Sequence, residues 1–123
     1  IERNHPHSTI IIENKSNDAI DQENQIYRYW HRAIYSKNKE ECANNDKYKL
    51  IYLVANDAKL PSENTLRRPI DWFDNLPEVV PLKVDIWNFN NQINCWLQDC
   101  LNLIEKENYR LQEYIKQYIE FWN

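Results

Sequence analysis

Two short aliphatic runs, "TIII" ending at Ile12 and "LIYLV" ending at Val54, stand on either side of an amphipathic segment. β-branched and aromatic residues suit a pleated, buried surface. Strand, helix, strand at this spacing predicts a crossover unit with its two strands parallel, because parallel neighbours need a long connection that a helix supplies. The first strand is read as Ser8–Lys15, and its unbroken apolar run predicts burial on both faces. The second is read as Tyr48–Ala55. Between them a helix is expected from about Ala19 to Ser36, opened by the capping side chains of Asn17 and Asp18. Ile26, Tyr27, Trp30, Ala33 and Ile34 form its apolar stripe.

The remaining chain extends this α/β pattern. Pro6, between His5 and His7, marks a turn from a preceding strand. Lys37–Lys47 reads as a polar loop, and Asn56–Pro81 as a long Pro-rich connection of the kind that often carries function. A third strand is expected over Val79–Val84, at an edge because Pro81 cannot donate to a ladder. Asp85 is expected to cap a helix with Ile86, Phe89, Ile93, Trp96, Leu97, Cys100 and Ile104 on one face. A last helix over Tyr109–Trp122 repeats the pattern with Leu111, Ile115, Tyr118, Ile119 and Trp122. These C-terminal helices read as core, with Trp87, Phe121 and Trp122 available to an interface and a homo-oligomer possible. The 123 residues suit a single domain spanning 1–123. Residue 1 is Ile rather than Met, so the expectation is a fragment, a processed form or the ordered part of something longer, with its N-terminal part missing.

Composition narrows the partners. Fifteen Lys+Arg against 19 Asp+Glu give a formal net charge of -4, so any nucleic-acid contact must be local or bridged by metal cations. Cys42, Cys95 and Cys100 are an odd set without a C-x-x-C pair, which points to reduced thiols and a cytoplasmic protein. No apolar run approaches the ~18 residues of a membrane span.

The chemistry is concentrated where the first strand ends, in Glu13-Asn14-Lys15. Strand alternation turns Glu13 and Lys15 to one face and Asn14 to the other. The carboxylate and the Asn14 backbone carbonyl are hard oxygen donors that suit Mg2+. Lys15 can orient a metal-bound water or stabilise charge on a phosphate under attack. The same spacing also describes a surface ion pair of little energetic consequence. On the following helix, at ~100° per residue, Gln22, Gln25 and Tyr29 share a flank with Asp18 nearby. They either line the same cleft or are solvated amides beside an edge-of-core phenol. His5 and His7 read as solvated turn residues, and Cys42 has no base beside it. Arg28 and Arg32, with Arg67 and Arg68, are basic edges able to meet phosphate.

"IIIENK" followed by "DQENQIYRYW", "YKLIYLVAND", "LPSEN", "INCWLQDCLN" and "LQEYIKQYIEFW" resembles the PD-(D/E)XK nuclease superfamily, in a bacterial branch, over residues 8–122. Glu13-x-Lys15 matches its E-x-K. Gln25-x-x-x-Tyr29 looks like the Q-x-x-x-Y helix motif of exonuclease-V-like members. The resemblance implies a restriction-endonuclease-like core, a mixed β-sheet flanked by α-helices. It implies Mg2+- or Mn2+-dependent hydrolysis of phosphodiester bonds in DNA. Glu13 would be a metal ligand, Asn14 would lend its backbone carbonyl, Lys15 would position the attacking water, and Gln25 and Tyr29 would hold substrate or the lysine. The family also needs an acid, usually Asp, on the strand that pairs with E-x-K. Its expected place falls just upstream of Ile1, so the chain as given would hold part of the metal site and could be inactive by itself. Glu2, the one acid of the preceding strand, is either a substitute or a solvated residue beside the turn. The alternative to an enzyme is a catalytically inactive nuclease-like binding or assembly module.

Overall fold

Strand β2 (His7–Lys15) forms where the isoleucine run predicts it, and the computed structural model, which describes residues 1–15, 19–55 and 59–122, builds the sheet around it. β1 (Glu2–Asn4) folds back on β2 through the turn at His5-Pro6 and pairs antiparallel, with Glu2 opposite Thr9. β3 (Tyr48–Val54) lies parallel to β2, and β4 (Val84–Asn88) parallel to β3. Among the described residues this makes one mixed four-stranded sheet in the order β1-β2-β3-β4.

Register decides what the sheet presents. Ile11 stands opposite Leu50, Glu13 opposite Tyr52 and Lys15 opposite Val54. All six lie on the face that carries the core, together with Tyr48. Helix α1 (Gln25–Trp30) covers that face with Ile26, Tyr27 and Trp30, and Ile34, Val80 and Leu82 complete the cluster. The Trp30 ring stands edge-on to Tyr27, and its indole N–H donates to the Cys42 carbonyl at 3.1 Å, which satisfies the one polar atom of a fully buried side chain. The opposite face of β2 is open. Ile12 is 48% exposed and Asn14 is exposed, so β2 is buried on one face rather than the two its composition suggested. The cause is strand alternation, which sends Ile12 and Asn14 to the face opposite the one that α1 covers.

The expected helix over Ala19–Ser36 is shorter. α1 begins at Gln25, because Asn24 takes a left-handed backbone (φ 59°), which Asn tolerates better than most side chains. The Asn24 N–H donates to the Asn64 carbonyl at 2.9 Å and its side-chain amide to the Arg67 carbonyl at 2.7 Å. Asn17 and Asp18, expected to cap the helix, lie outside the described residues. After Trp30 the helix widens to a π-turn over His31–Tyr35, closed by the Ser36 N–H on the His31 carbonyl.

The third strand is displaced. Val79 makes only an isolated bridge to Arg67, and the ladder on β3 starts at Val84, past Pro81. Asp85 and Ile86, expected to open a helix, are in β4 instead. The cap is Asn88, whose side chain accepts from the Asn91 N–H at 2.8 Å while Gln92 accepts from the Asn88 N–H. A π-turn over Phe89–Ile93 then leads into α3 (Asn94–Leu103) and α4 (Tyr109–Trp122). These two pair with each other and leave Trp96, Tyr114 and Phe121 exposed, so they are not the core they were expected to be. The side chain of Trp122 lies outside the described ones. No helix of the described residues is long and apolar enough to cross a membrane.

Trp30→Ala removes the largest fully buried side chain and should cost about 3–5 kcal/mol in urea unfolding. Ile12→Thr, on the open face, should stay within about 0.5 kcal/mol of wild type.

Candidate active site

The core face of β2 ends in charge. Lys15 Nζ stands 3.1 Å from Glu13 Oε1, with only 6% and 11% of the two side chains exposed. This is not a solvated surface pair. A buried ion pair is costly to desolvate and persists only when further hydrogen bonds complete it. Lys15 has them: its ammonium donates to the Ile20 carbonyl and to Gln25 Oε1, both at 3.4 Å. Asn14 points to the other face, as alternation requires, so only its backbone carbonyl is placed to act with Glu13.

α1 carries this arrangement to the surface. An amide beside an ammonium must turn its carbonyl inward, so the Gln25 NH2 faces away, and it donates to the Tyr29 hydroxyl at 3.0 Å. Gln25 and Tyr29 are one helical turn apart on the same flank. Tyr29 is 37% exposed, which makes Lys15–Gln25–Tyr29 a hydrogen-bonded path from a buried cation to the protein surface. Gln22, expected on the same flank, precedes the helix and is exposed; its carbonyl accepts from the Gln25 N–H. Asp18 lies outside the described residues.

Sequence reasoning missed Asp21. Its side chain is 6% exposed and Oδ1 lies 4.0 Å from Lys15 Nζ. The same oxygen accepts from the Tyr52 hydroxyl at 2.8 Å, and Oδ2 accepts from the Ser62 backbone N–H at 2.8 Å. Tyr52 is fully buried. Burial, then the bond to Asp21 and the charges of Asp21 and Glu13, push its phenol far above the ordinary range, so it acts as a donor. A signal was present in the sequence: a tyrosine in the middle of an aliphatic strand needs an acceptor for its hydroxyl. Ser62 also caps α2 (Glu63–Leu66), and Thr65 of that short helix accepts from the Ile26 N–H. Ile20, Asp21, Glu23, Lys59, Ser62 and Asn64 line a cleft of about 550 Å³ beside the charged cluster. It opens at the carboxyl ends of β2 and β3, where parallel sheets usually bind ligands.

The other candidates lie elsewhere. Both oxygens of Glu2 accept from Lys37 Nζ, at 2.7 and 2.9 Å, and this holds its carboxyl below the usual range. Glu2 faces Thr9, four residues and roughly 13 Å along β2 from Glu13, so the two carboxylates do not share a site. By that register the position across from Glu13 falls ahead of Ile1. His5 is exposed, while His7 Nδ1 lies 2.7 Å from the Tyr48 hydroxyl, in a structural contact rather than in solvent. Arg28 sits over the Trp72 ring, and Arg68 ties down the Asp74 and Leu76 carbonyls. Burial raises the Cys42 thiol, and no disulfide links the three cysteines.

Glu13 and Asp21 set two formal negative charges against the one of Lys15, and Glu13 is a hard donor. Mg2+ needs only one or two carboxylates, completing its shell with water and substrate phosphate, so this donor set fits it. Among the described residues no group of three or more His, Cys, Asp or Glu could hold a metal.

The family model of the PD-(D/E)XK nuclease superfamily matches residues 2–120. Comparison with curated proteins and with solved structures found no match. The mixed sheet with flanking helices agrees with the restriction-endonuclease-like α/β fold of that family.

Raised phenols stabilise the fold below the ordinary phenol pKa near 10, and that stability is lost as pH climbs above it, because only the unfolded chain gives up the proton. Each such group should remove about 1.4 kcal/mol per pH unit. Tyr27, raised by burial, adds to the effect. Urea unfolding between pH 9 and 11 should therefore show a shallower decline in Tyr52→Phe, by about one proton. An unchanged slope would remove the Tyr52–Asp21 tie.

Proposed function

The chain belongs to the PD-(D/E)XK nuclease superfamily, and from that premise we propose that it hydrolyses phosphodiester bonds of DNA with a divalent cation, Mg2+ or Mn2+. The observation that carries this reading is the buried Lys15 ammonium, held between Glu13 on its own strand and Gln25 on α1. On this reading Glu13 and the Asn14 backbone carbonyl hold the cation. A cation held there would supply a bound water of lowered pKa and a positive charge for a substrate phosphate. Lys15 orients the attacking water and offsets charge as it builds on the phosphate. Gln25 fixes the ammonium through its carbonyl. Tyr29 accepts from the Gln25 amide and still has its own hydroxyl proton to offer a substrate phosphate. The chain carries a net charge of -4, so the DNA backbone would be met locally, at the cleft and along α1 and the π-turn that follows it, where Arg28 and Arg32 lie.

A second reading is a catalytically inactive nuclease-like module for binding or assembly. It is favoured by the lack, among the described residues, of a third ligand beside Glu13 and the tied-down Asp21. Mn2+ titration of the full-length protein separates the two, since a module without a metal site shows no binding that depends on Glu13.

With Mg2+ the full-length protein should cleave DNA. Glu13→Gln, which keeps an acceptor for Lys15, and Lys15→Met should each slow cleavage by about 10²–10³-fold while leaving the circular dichroism spectrum intact. If both variants cleave at the wild-type rate, Glu13 and Lys15 do not carry the reaction.

A further inference from the structure

The three hydrogens of the Lys15 ammonium meet one charged acceptor, Glu13, and two neutral ones, the Ile20 carbonyl and Gln25 Oε1. The proposed function, on which this inference rests, asks Glu13 to turn its oxygens to a divalent cation. Lys15 would then be a buried ammonium beside a second positive charge, with two long hydrogen bonds to neutral oxygens. An uncompensated buried charge costs several kcal/mol. The next carboxylate within reach is Asp21, 4.0 Å away.

Asp21 is held as a fixed charge. The Tyr52 hydroxyl grips one oxygen and the Ser62 amide the other, both at 2.8 Å, from two segments outside its own. Tyr52 stands directly across from Glu13 in the ladder, so the anchor of Asp21 and the proposed ligand share one level of the sheet. Each carboxylate oxygen accepts more than one hydrogen bond, so Asp21 keeps a lone pair for Lys15 while held by these donors. A donor on each oxygen fixes the orientation of Asp21 and makes it a suitable counter-charge for Lys15.

We infer that Asp21 is a positioning residue, which retains Lys15 when Glu13 is engaged by a divalent cation. No proton moves in this exchange. The ammonium shifts its pairing from Glu13 to Asp21 and stays beside the cleft. Without Asp21, Glu13 is the carboxylate left to Lys15 among the described residues, and the amine competes with the cation for it.

The experiment is titration of Mn2+ into the full-length protein by calorimetry, in a four-variant cycle of wild type, Asp21→Asn, Lys15→Met and the double variant. Asp21→Asn keeps one acceptor oxygen for Tyr52 or Ser62, and circular dichroism checks its fold. We expect Asp21→Asn to weaken Mn2+ about tenfold with Lys15 present and at most about twofold without it. Equal weakening in both backgrounds, the mark of simple charge loss or direct ligation, overturns the inference. Tyr52→Phe breaks one tie to Asp21 but leaves its charge, so Mn2+ affinity should stay within about twofold of wild type. A tenfold loss there would reduce Asp21 to a structural clamp and overturn the inference even if Asp21→Asn fails to fold. Wild type that binds no Mn2+ overturns the nuclease reading as well, whereas wild-type binding without coupling overturns this inference alone.

Discussion

A lysine ammonium sealed under a helix sets the terms for everything around it. Lys15 is carried into the interior because it lies in phase with Thr9, Ile11 and Glu13 on the core face of β2. Once there it must be surrounded by oxygen. Glu13 supplies a charge from two residues back, Ile20 a carbonyl from the strand's exit, and Gln25 an amide from the helix above. Moving any of these segments exposes or orphans the ammonium. The position of α1 over the sheet and the charge balance of the site are therefore one constraint. The apolar cluster of Ile26, Tyr27 and Trp30 holds the helix down, and the polar flank beside it, Gln25 and Tyr29, meets the charge.

The loop after β3 belongs to the same construction. It reaches back over about 40 residues to give the Ser62 amide to Asp21, the Asn64 and Arg67 carbonyls to Asn24, and the Thr65 hydroxyl to the Ile26 N–H. These contacts take the place of an N-terminal cap: no side-chain capping bond is made at Asn24. A helix usually needs partners for its first N–H groups. Here the Gln25 N–H finds the nearby Gln22 carbonyl but the Ile26 N–H depends on Thr65 of a distant segment, so the site forms only when both βα connections have folded against each other.

That distance explains what was legible and what was not. Local pattern was enough for β2, β3, α4 and the parallel crossover, because the β-branched Ile10–Ile12 run marks a strand and the 3.6-residue stripe of α1 a helix, although the run did not tell that only one face of β2 is buried. It also brought out Glu13, Lys15, Gln25 and Tyr29, which the fold draws into one hydrogen-bonded chain. The start of α1 was illegible because its hydrogen-bond partners lie some 40 residues downstream. β4 was taken for the first turn of a helix because a short apolar stretch after Asp85 satisfies either period. Pro81 did rule out a ladder at its own position and moved the strand beyond itself, and among the described residues that strand, β4, lies at the edge of the sheet as expected. Asp21 was passed over because nothing in its own neighbourhood asks for it. The demand comes from Tyr52, thirty-one positions away.

The burial of the charged cluster also bears on what the site is for. Two aliphatic residues in place of Glu13 and Lys15 would pack on the same face without desolvation cost, and replacing a buried ion pair in this way is often neutral or stabilising. Stability of the sheet is therefore no reason to keep the pair. The cluster is not closed on itself either: among the described residues Glu13, Asp21 and Lys15 together carry one formal negative charge in excess, beside a polar cleft at the carboxyl ends of two parallel strands. Among the described residues one carboxylate is anchored by hydrogen bonds and the other is tied to the ammonium, an arrangement that lets the second carboxylate change partners. A structural ion pair has no use for that asymmetry, whereas the proposed exchange, in which Glu13 turns to a cation while Asp21 keeps the ammonium, depends on it.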